Sequence, residues 1–212
     1  MSKLPKTGSS STVDYQDAKR IARNGDTTER CALASRTDTR SEILYYMAEG
    51  PDEEVRRRIA ENAETPRHAD MLLAQDECEE VRCLLASKIG RLFPEVSATE
   101  QNVMRRAVLD ILEVLAADET ERIREIVSDT LKDDPNVPPH VVQQLAADPQ
   151  LTVCGPILEF SPVLMEEDLL ELISSKPVQD ALSAILNSDN SLDYPLSVEE
   201  MRWQLEFFKT GF

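Results

Sequence analysis

Apolar residues recur along the chain at helical spacing, and this pattern is itself repeated at intervals of 26 residues. The first clear copy contains Met47-Ala48, Val55-Arg56 and Ala60, and the next contains Leu73-Ala74, Val81-Arg82 and Ala86. A segment of this length is one helical hairpin, which is too small to bury its own apolar face and must stack on its neighbours. The pattern therefore predicts an α-solenoid.

Three further copies extend the pattern in both directions. An upstream copy holds Ala22, Arg30 and Ala34, and two downstream copies hold Leu115-Ala116 with Ile123-Arg124 and Leu145-Ala146 with Val153-Cys154. The step before the first downstream copy is 42 residues, so about sixteen residues are inserted there. Five copies that keep one internal register indicate a stack of near-identical units.

Polar residues and helix breakers divide the apolar segments. Thr39-x-x-Glu42, Ser97-x-x-Glu100 and Ser197-x-x-Glu200 each have the spacing of a capping box, which predicts a helix start at each place. Gly90 and Pro94 predict an irregular loop over residues 89–97, where the extra residues enter.

These signals predict an all-α protein, a right-handed superhelix of short helical hairpins with a C-terminal capping helix. Residues 1–12 are expected to be a disordered tail, 13–186 the helical-repeat domain, 187–197 a linker and 198–212 the last helix. That helix concentrates the aromatic residues Trp203, Phe207 and Phe208. It could close the open end of the solenoid, bind a groove on another molecule, or be exchanged within a homodimer.

Two motifs carry a resemblance to a known family. The units Leu-x-x-Leu-Ala-x-Asp…Val-Arg…Ala…Thr-Pro resemble the HEAT-like and leucine-rich-repeat-variant helical repeats of bacteria. The segment from Pro156 to Ile173 resembles an uncharacterised, largely alphaproteobacterial domain family built from such repeats. The resemblance covers roughly residues 18–186 and implies a solenoid. That family has no established activity, so the resemblance implies no chemistry.

Charge is unevenly distributed in this acidic chain, whose net charge is −17. Residues 1–40 carry eight basic and five acidic side chains, whereas residues 107–212 carry six basic and twenty-one acidic ones. Binding to a phosphate backbone requires clustered Lys and Arg, so nucleic acid is not an expected partner. No apolar run is long enough to span a membrane, and no signal peptide opens the chain. We expect a cytoplasmic protein, a monomer or a homodimer.

Candidate catalytic residues are few. Only two histidines occur, His68 and His140, and both are expected to be exposed in a first helical turn. Cys31 and Cys154 fall on repeat positions and are expected to be buried apolar residues, while Cys78 and Cys83 have neither metal-ligand nor redox-motif spacing. The sequence predicts no metal and no cofactor.

The most regular polar feature is the set of repeated arginines, Arg30, Arg56, Arg82 and Arg124. One interpretation is a row that binds carboxylates of a protein partner, since Arg grips carboxylates with two hydrogen bonds. The other is a ladder in which each Arg bonds an acidic residue of the adjacent unit, such as Asp52, Asp76 or Asp118. We expect a non-enzymatic protein-binding module of unknown partner; the alternative is an enzyme or enzyme subunit of the HEAT-repeat lyase or hydroxylase type.

Overall fold

The computed structural model describes residues 13–93 and 102–165, and these residues form helices and connecting turns with no β-strand among them. The all-α prediction is confirmed for this part of the chain. In chain order the helices are Tyr15–Asn24 (α1), Thr27–Ala34 (α2), Ser41–Ala48 (α3), Glu53–Glu61 (α4), Arg67–Leu73 (α5), Glu79–Leu92 (α6), Asn102–Ala116 (α7), Glu121–Leu131 (α8), Pro139–Ala146 (α9) and Leu151–Phe160 (α10).

The chain divides into two compact units, residues 1–73 and residues 74–212. In the N-terminal unit α1 contacts α3 and α3 contacts α5, while α2 contacts α4. In the C-terminal unit α6 contacts α8 and α8 contacts α10, while α7 contacts α9. Consecutive helices also pair, as α3 does with α4 and α7 with α8. Each unit therefore contains two rows of helices, in which every second helix is a neighbour.

Alanines and branched aliphatic residues form the core of both units. Ala34, Ala60 and Ala86 are fully buried on α2, α4 and α6, and Ile59 and Leu85 beside them are also inaccessible to solvent. Small side chains at a helix contact permit a short distance between the helix axes, while the larger aliphatic residues supply the apolar area that stabilises the fold.

The turn between α2 and α3 is fixed by a buried threonine and not by a capping box. Thr39 donates its hydroxyl proton to the carbonyl oxygen of Leu33 at 2.7 Å, whereas α3 begins after Arg40 without a side-chain cap. The predicted capping box at Thr39 and Glu42 is therefore wrong. The hydroxyl of Thr39 bonds the C-terminal end of α2, where backbone carbonyl groups lack helical partners. It is therefore not available to cap α3.

Thr65 makes the equivalent contact 26 residues later. Its hydroxyl donates to the carbonyl oxygen of Ile59 at 2.7 Å, and the side chain is buried. The boxes predicted at Ser97 and Ser197 lie outside the described residues.

Helix α6 continues through the segment expected to be irregular. It runs to Leu92, so Ile89 and Gly90 are helical and the loop predicted to start at residue 89 is wrong in this part. A side chain at Gly90 would place its Cβ 2.7 Å from Oγ1 of Thr130 on α8. Gly90 is thus a position of close approach between two helices and does not break the helix.

We expect Thr39→Val and Thr65→Val each to lower the free energy of unfolding by about 1 kcal/mol, because the substitution keeps the shape but removes a buried hydrogen bond. Urea denaturation monitored by circular dichroism measures the change. Thr37→Val, at an exposed turn position, is the matched control and should shift the free energy by less than about 0.5 kcal/mol. Equal effects at all three positions would contradict the role given to the buried hydroxyls.

Candidate functional site

Arg82 binds two loops at once in a nearly buried site. Its Nε and Nη2 donate to the two carboxylate oxygens of Asp118 at 2.6 and 3.2 Å, and its Nη1 donates to the carbonyl oxygen of Asp76 at 2.8 Å. The side chains of Arg82 and Asp118 are 9% and 6% exposed. We call this arrangement an arginine clasp. In a clasp, an arginine donates to a carbonyl oxygen in the loop before its own helix and to the carboxylate of the aspartate that precedes the next helix of the row.

Arg124 forms the same clasp one helix further along the row. Its Nε and Nη2 donate to the carboxylate of Asp148 at 2.6 and 3.4 Å. Its Nη1 donates to the carbonyl oxygens of Asp118 and Glu119 at 2.8 and 2.9 Å. Asp118 thus accepts hydrogen bonds from Arg82 through its carboxylate and from Arg124 through its carbonyl group. The two clasps thus connect α6, α8 and α10 through one continuous network of hydrogen bonds.

The aspartates of the clasps also order the loops in which they lie. Asp118 and Asp148 accept the backbone N–H two residues later, from Thr120 and Gln150, at 2.9 Å each. Asp76 accepts the N–H of Cys78 in the same way at 2.8 Å. In Asp118 and Asp148 the oxygen that forms this Asx-turn also accepts the longer of the two hydrogen bonds from the arginine, so the turn orients the carboxylate toward the guanidinium group.

In the N-terminal unit, Arg30 and Arg56 contact one loop from two sides. Arg30 donates to Asp52 at 3.0 Å, and the hydroxyl of Thr27 donates to the same carboxylate oxygen at 2.6 Å. Arg56, which is buried, donates to the carbonyl oxygen of Gly50 at 3.1 Å. The loop before α4 is therefore held as the loop before α8 is held, by one arginine at the carboxylate and another at a carbonyl.

The structure therefore places the predicted arginines in contacts between helices, as the ladder interpretation expects for Arg30, Arg82 and Arg124. Their binding to a protein partner stays a prediction. Sequence reasoning did not name Asp148 as a ladder residue, although it precedes Cys154 by six positions, as Asp118 precedes Arg124. This six-residue spacing could have identified Asp148 as a ladder residue from the sequence. Trp203, Phe207 and Phe208 lie outside the described residues.

Burial, hydrogen bonds and neighbouring charges shift the pKa values of the aspartates and of Arg82 in these contacts. Burial by itself would raise the pKa of Asp118, but hydrogen bonds from Arg82 and from the N–H of Thr120 hold that pKa below its ordinary value. The hydrogen bond from Thr27, with the charge of Arg30, lowers the pKa of Asp52. The Asp118 carboxylate raises the pKa of Arg82. All three groups are charged near neutral pH.

Cys154 occupies the position that the arginines hold in the preceding units. Burial, assisted by the charge of Asp148, raises the pKa of its thiol to about 11. A thiol that stays protonated near neutral pH is a poor nucleophile and metal ligand. Its predicted burial is confirmed, whereas Cys31 is half-exposed, so the expectation of a buried Cys31 is wrong.

Neither histidine belongs to a ligand cluster in the described part of the chain. His68 is exposed at the start of α5 and its ring lies 4.7 Å from that of Tyr45. His140 is exposed in the first turn of α9, and its Nε2 lies 2.9 Å from a carboxylate oxygen of Glu113. Both exposed first-turn placements are confirmed. Within residues 13–93 and 102–165 no three His, Cys, Asp or Glu side chains are arranged to hold a metal ion.

An open groove of about 700 Å³ lies on the C-terminal unit between the ends of α6 and α8 and the start of α7. Its apolar surface comes from Gly90, Phe93, Ile126 and Pro135. Its polar lining residues are Ser87, Arg105, Asp129, Thr130, Asp133, Asp134 and Asn136. Sequence reasoning did not predict this groove, because its walls come from helices far apart in the chain.

Comparison with known proteins leaves the family open. No family model matches the chain, and neither a curated protein nor a solved structure shows significant similarity to it. The resemblance to HEAT-like repeats therefore stays a prediction from the motif. No helix in residues 13–93 and 102–165 is long and apolar enough to cross a membrane.

Asp118→Asn is expected to lower the free energy of unfolding by about 3 kcal/mol, because removing one charge of a buried ion pair leaves the other uncompensated. Chemical denaturation gives the value. Glu54→Gln removes an exposed carboxylate that pairs with Arg58 at 2.8 Å and should cost less than about 1 kcal/mol. A loss at Asp118 no larger than that at Glu54 would contradict the clasp as a stabilising contact.

Stability should also fall in acid. Because the folded-state pKa values of Asp52 and Asp118 are lowered, their contribution is present above the unfolded Asp pKa of about 3.9 and is lost as the pH falls through the folded values. Thermal unfolding recorded from pH 6 to pH 2 measures this slope. In Asp118→Asn the slope below about pH 4 should be shallower; a slope equal to that of the parent chain would show that Asp118 does not contribute to it.

Proposed function

We propose that the chain is a non-enzymatic protein-binding module, a solenoid of HEAT-like helical hairpins that offers an extended surface to a protein partner. The observation that carries the proposal is the recurrence of the arginine clasp at Arg82 and Arg124 with the same atoms in the same roles. When each helix of a row is held to the next by one repeated contact, further helices can be added by repeating that contact. Open rows of this kind characterise solenoids, whose stacked faces bind other macromolecules.

Two properties of the surface support a protein partner. The clasps use side chains that are largely buried, so the exposed side chains of the same helices lie outside these contacts. The groove on the C-terminal unit joins an apolar surface with charged groups, which is the combination found in protein interfaces. The cytoplasm remains the predicted location, and the right-handed sense of the superhelix is part of the same proposal.

Affinity capture with the full chain as immobilised bait tests the proposal. We expect a small set of proteins from the native cell to be enriched at least tenfold over an unrelated bait of similar negative charge. Their recovery should decrease between about 0.05 and 0.5 M salt, because the net charge of −17 contributes to association and is screened by ions. Quantitative mass spectrometry gives both values. Equal recovery on both baits would contradict the proposal.

A further inference from the structure

We propose that the groove between α6 and α8 binds a basic segment of a partner protein, in which a large apolar side chain is flanked by Lys or Arg. The inference rests on the proposed function and adds the location of the contact and the chemistry of the bound segment. It follows from three properties of the groove: its apolar surface, the internal bonding of its polar side chains and the sign of its exposed charges.

The apolar surface can accept a side chain of moderate size. Ile126 and Pro135 supply aliphatic area in the groove, whereas the space that a side chain at Gly90 would take is already filled by Thr130. The Phe93 ring is buried, and the guanidinium group of Arg105 lies 5.0 Å from its centroid. An aliphatic or aromatic side chain that enters this groove loses contact with water, which favours binding.

Most polar side chains of the groove already have partners within the protein. The hydroxyls of Ser87 and Thr130 donate to carbonyl oxygens of their own helices at 2.9 and 2.7 Å. Asp134 is nearly buried, forms an ion pair with Arg105 and accepts the backbone and side-chain N–H groups of Asn136. These groups therefore offer little to a ligand that must be recognised through many hydrogen bonds, such as a nucleotide or a sugar.

The exposed charges at the rim are carboxylates. Asp133 is exposed, and the Asp129 side chain is 57% exposed although Lys132 approaches it at 3.2 Å. The single arginine among the lining residues is paired with Asp134. The rim thus attracts cations, and Asp133 is its main open charge. A neighbouring Lys or Arg on the bound segment satisfies this charge, while the acidic surface of the chain repels acidic segments.

Two substitutions separate the apolar and the electrostatic parts of the site. Ser87→Phe fills the groove from an exposed helix position at the cost of one local hydrogen bond. Asp133→Lys reverses the rim charge. The matched controls are Ser35→Phe, at an exposed serine that bonds Cys31 in the same i−4 manner at 3.0 Å, and Asp110→Lys, at an exposed aspartate outside the groove. Circular dichroism and thermal unfolding verify that all four variants fold.

The probe is a random library of twelve-residue peptides displayed on phage and selected on the purified full chain. Enriched peptides should carry a Leu, Ile, Met or Phe within about four residues of a Lys or Arg. The same peptides, synthesised and measured by fluorescence anisotropy, should bind Ser87→Phe and Asp133→Lys about tenfold more weakly or worse, and should bind the two control variants as they bind the parent chain.

Several results would overturn the proposal. Selection of no peptides, or of peptides without basic residues, would exclude the stated chemistry. Peptides that bind all five proteins equally would exclude the groove. A synthetic peptide of residues 1–12, in which Leu4 lies between Lys3 and Lys6, is also measured; groove binding by this peptide alone would assign the site to the N-terminal segment of this chain and not to a partner protein. If the natural partner is captured equally by the parent chain and by both groove variants, the proposed function stands and the groove assignment fails.

Discussion

The arginine clasp is the contact that joins α6, α8 and α10 into one row of the C-terminal unit. Removing two charges from water is costly, and a buried ion pair offsets that cost only with good geometry and further hydrogen bonds. Arg82 meets both conditions, because Asp118 accepts two of its donors and the carbonyl group of Asp76 a third. The aspartate is in turn fixed by the N–H of Thr120. A shift of α8 relative to α6 would break several of these bonds at once, so the clasp favours one register of the two helices.

Other buried polar contacts join neighbouring helices in the same manner. Asn62 donates to the carbonyl oxygens of Ala34 and Arg36 at 2.6 and 2.9 Å, and thereby joins the end of α4 to the end of α2. Ser128 on α8 donates to the carbonyl oxygen of Val153 on α10 at 2.5 Å. Short hairpins leave many helix ends inside the protein, and each end carries backbone groups without helical partners. Thr39, Thr65 and Asn62 bond carbonyl oxygens at such ends, so a regular polar residue in such a sequence does not by itself indicate a ligand site.

The contacts between helices are distinct from the surface proposed to bind a partner. The clasps lie between helices and are mostly buried, whereas the groove is open and carries exposed carboxylates at its rim. A partner bound at the groove, as proposed, would not compete for the guanidinium groups of Arg82 and Arg124. In turn, a change in the groove lining need not disturb the register of the rows, since Ser87 and Asp133 take no part in a clasp.

The sequence by itself determined the helices and their approximate limits, because the spacing of apolar residues reports which face of a helix is buried. It also offered, as one of two interpretations, a ladder from the repeated arginines to acidic residues such as Asp52 and Asp118, but it did not name Asp148, the partner of Arg124. Only the tertiary structure decided which polar group bonds which. The hydroxyl of Thr39 bonds the end of α2 and does not cap α3. Gly90 lies within α6, at a point where α8 approaches too closely for a side chain. The groove, too, follows from tertiary structure alone: residues 87–93 and 126–136 meet through helix packing, and no local pattern in either segment records the other.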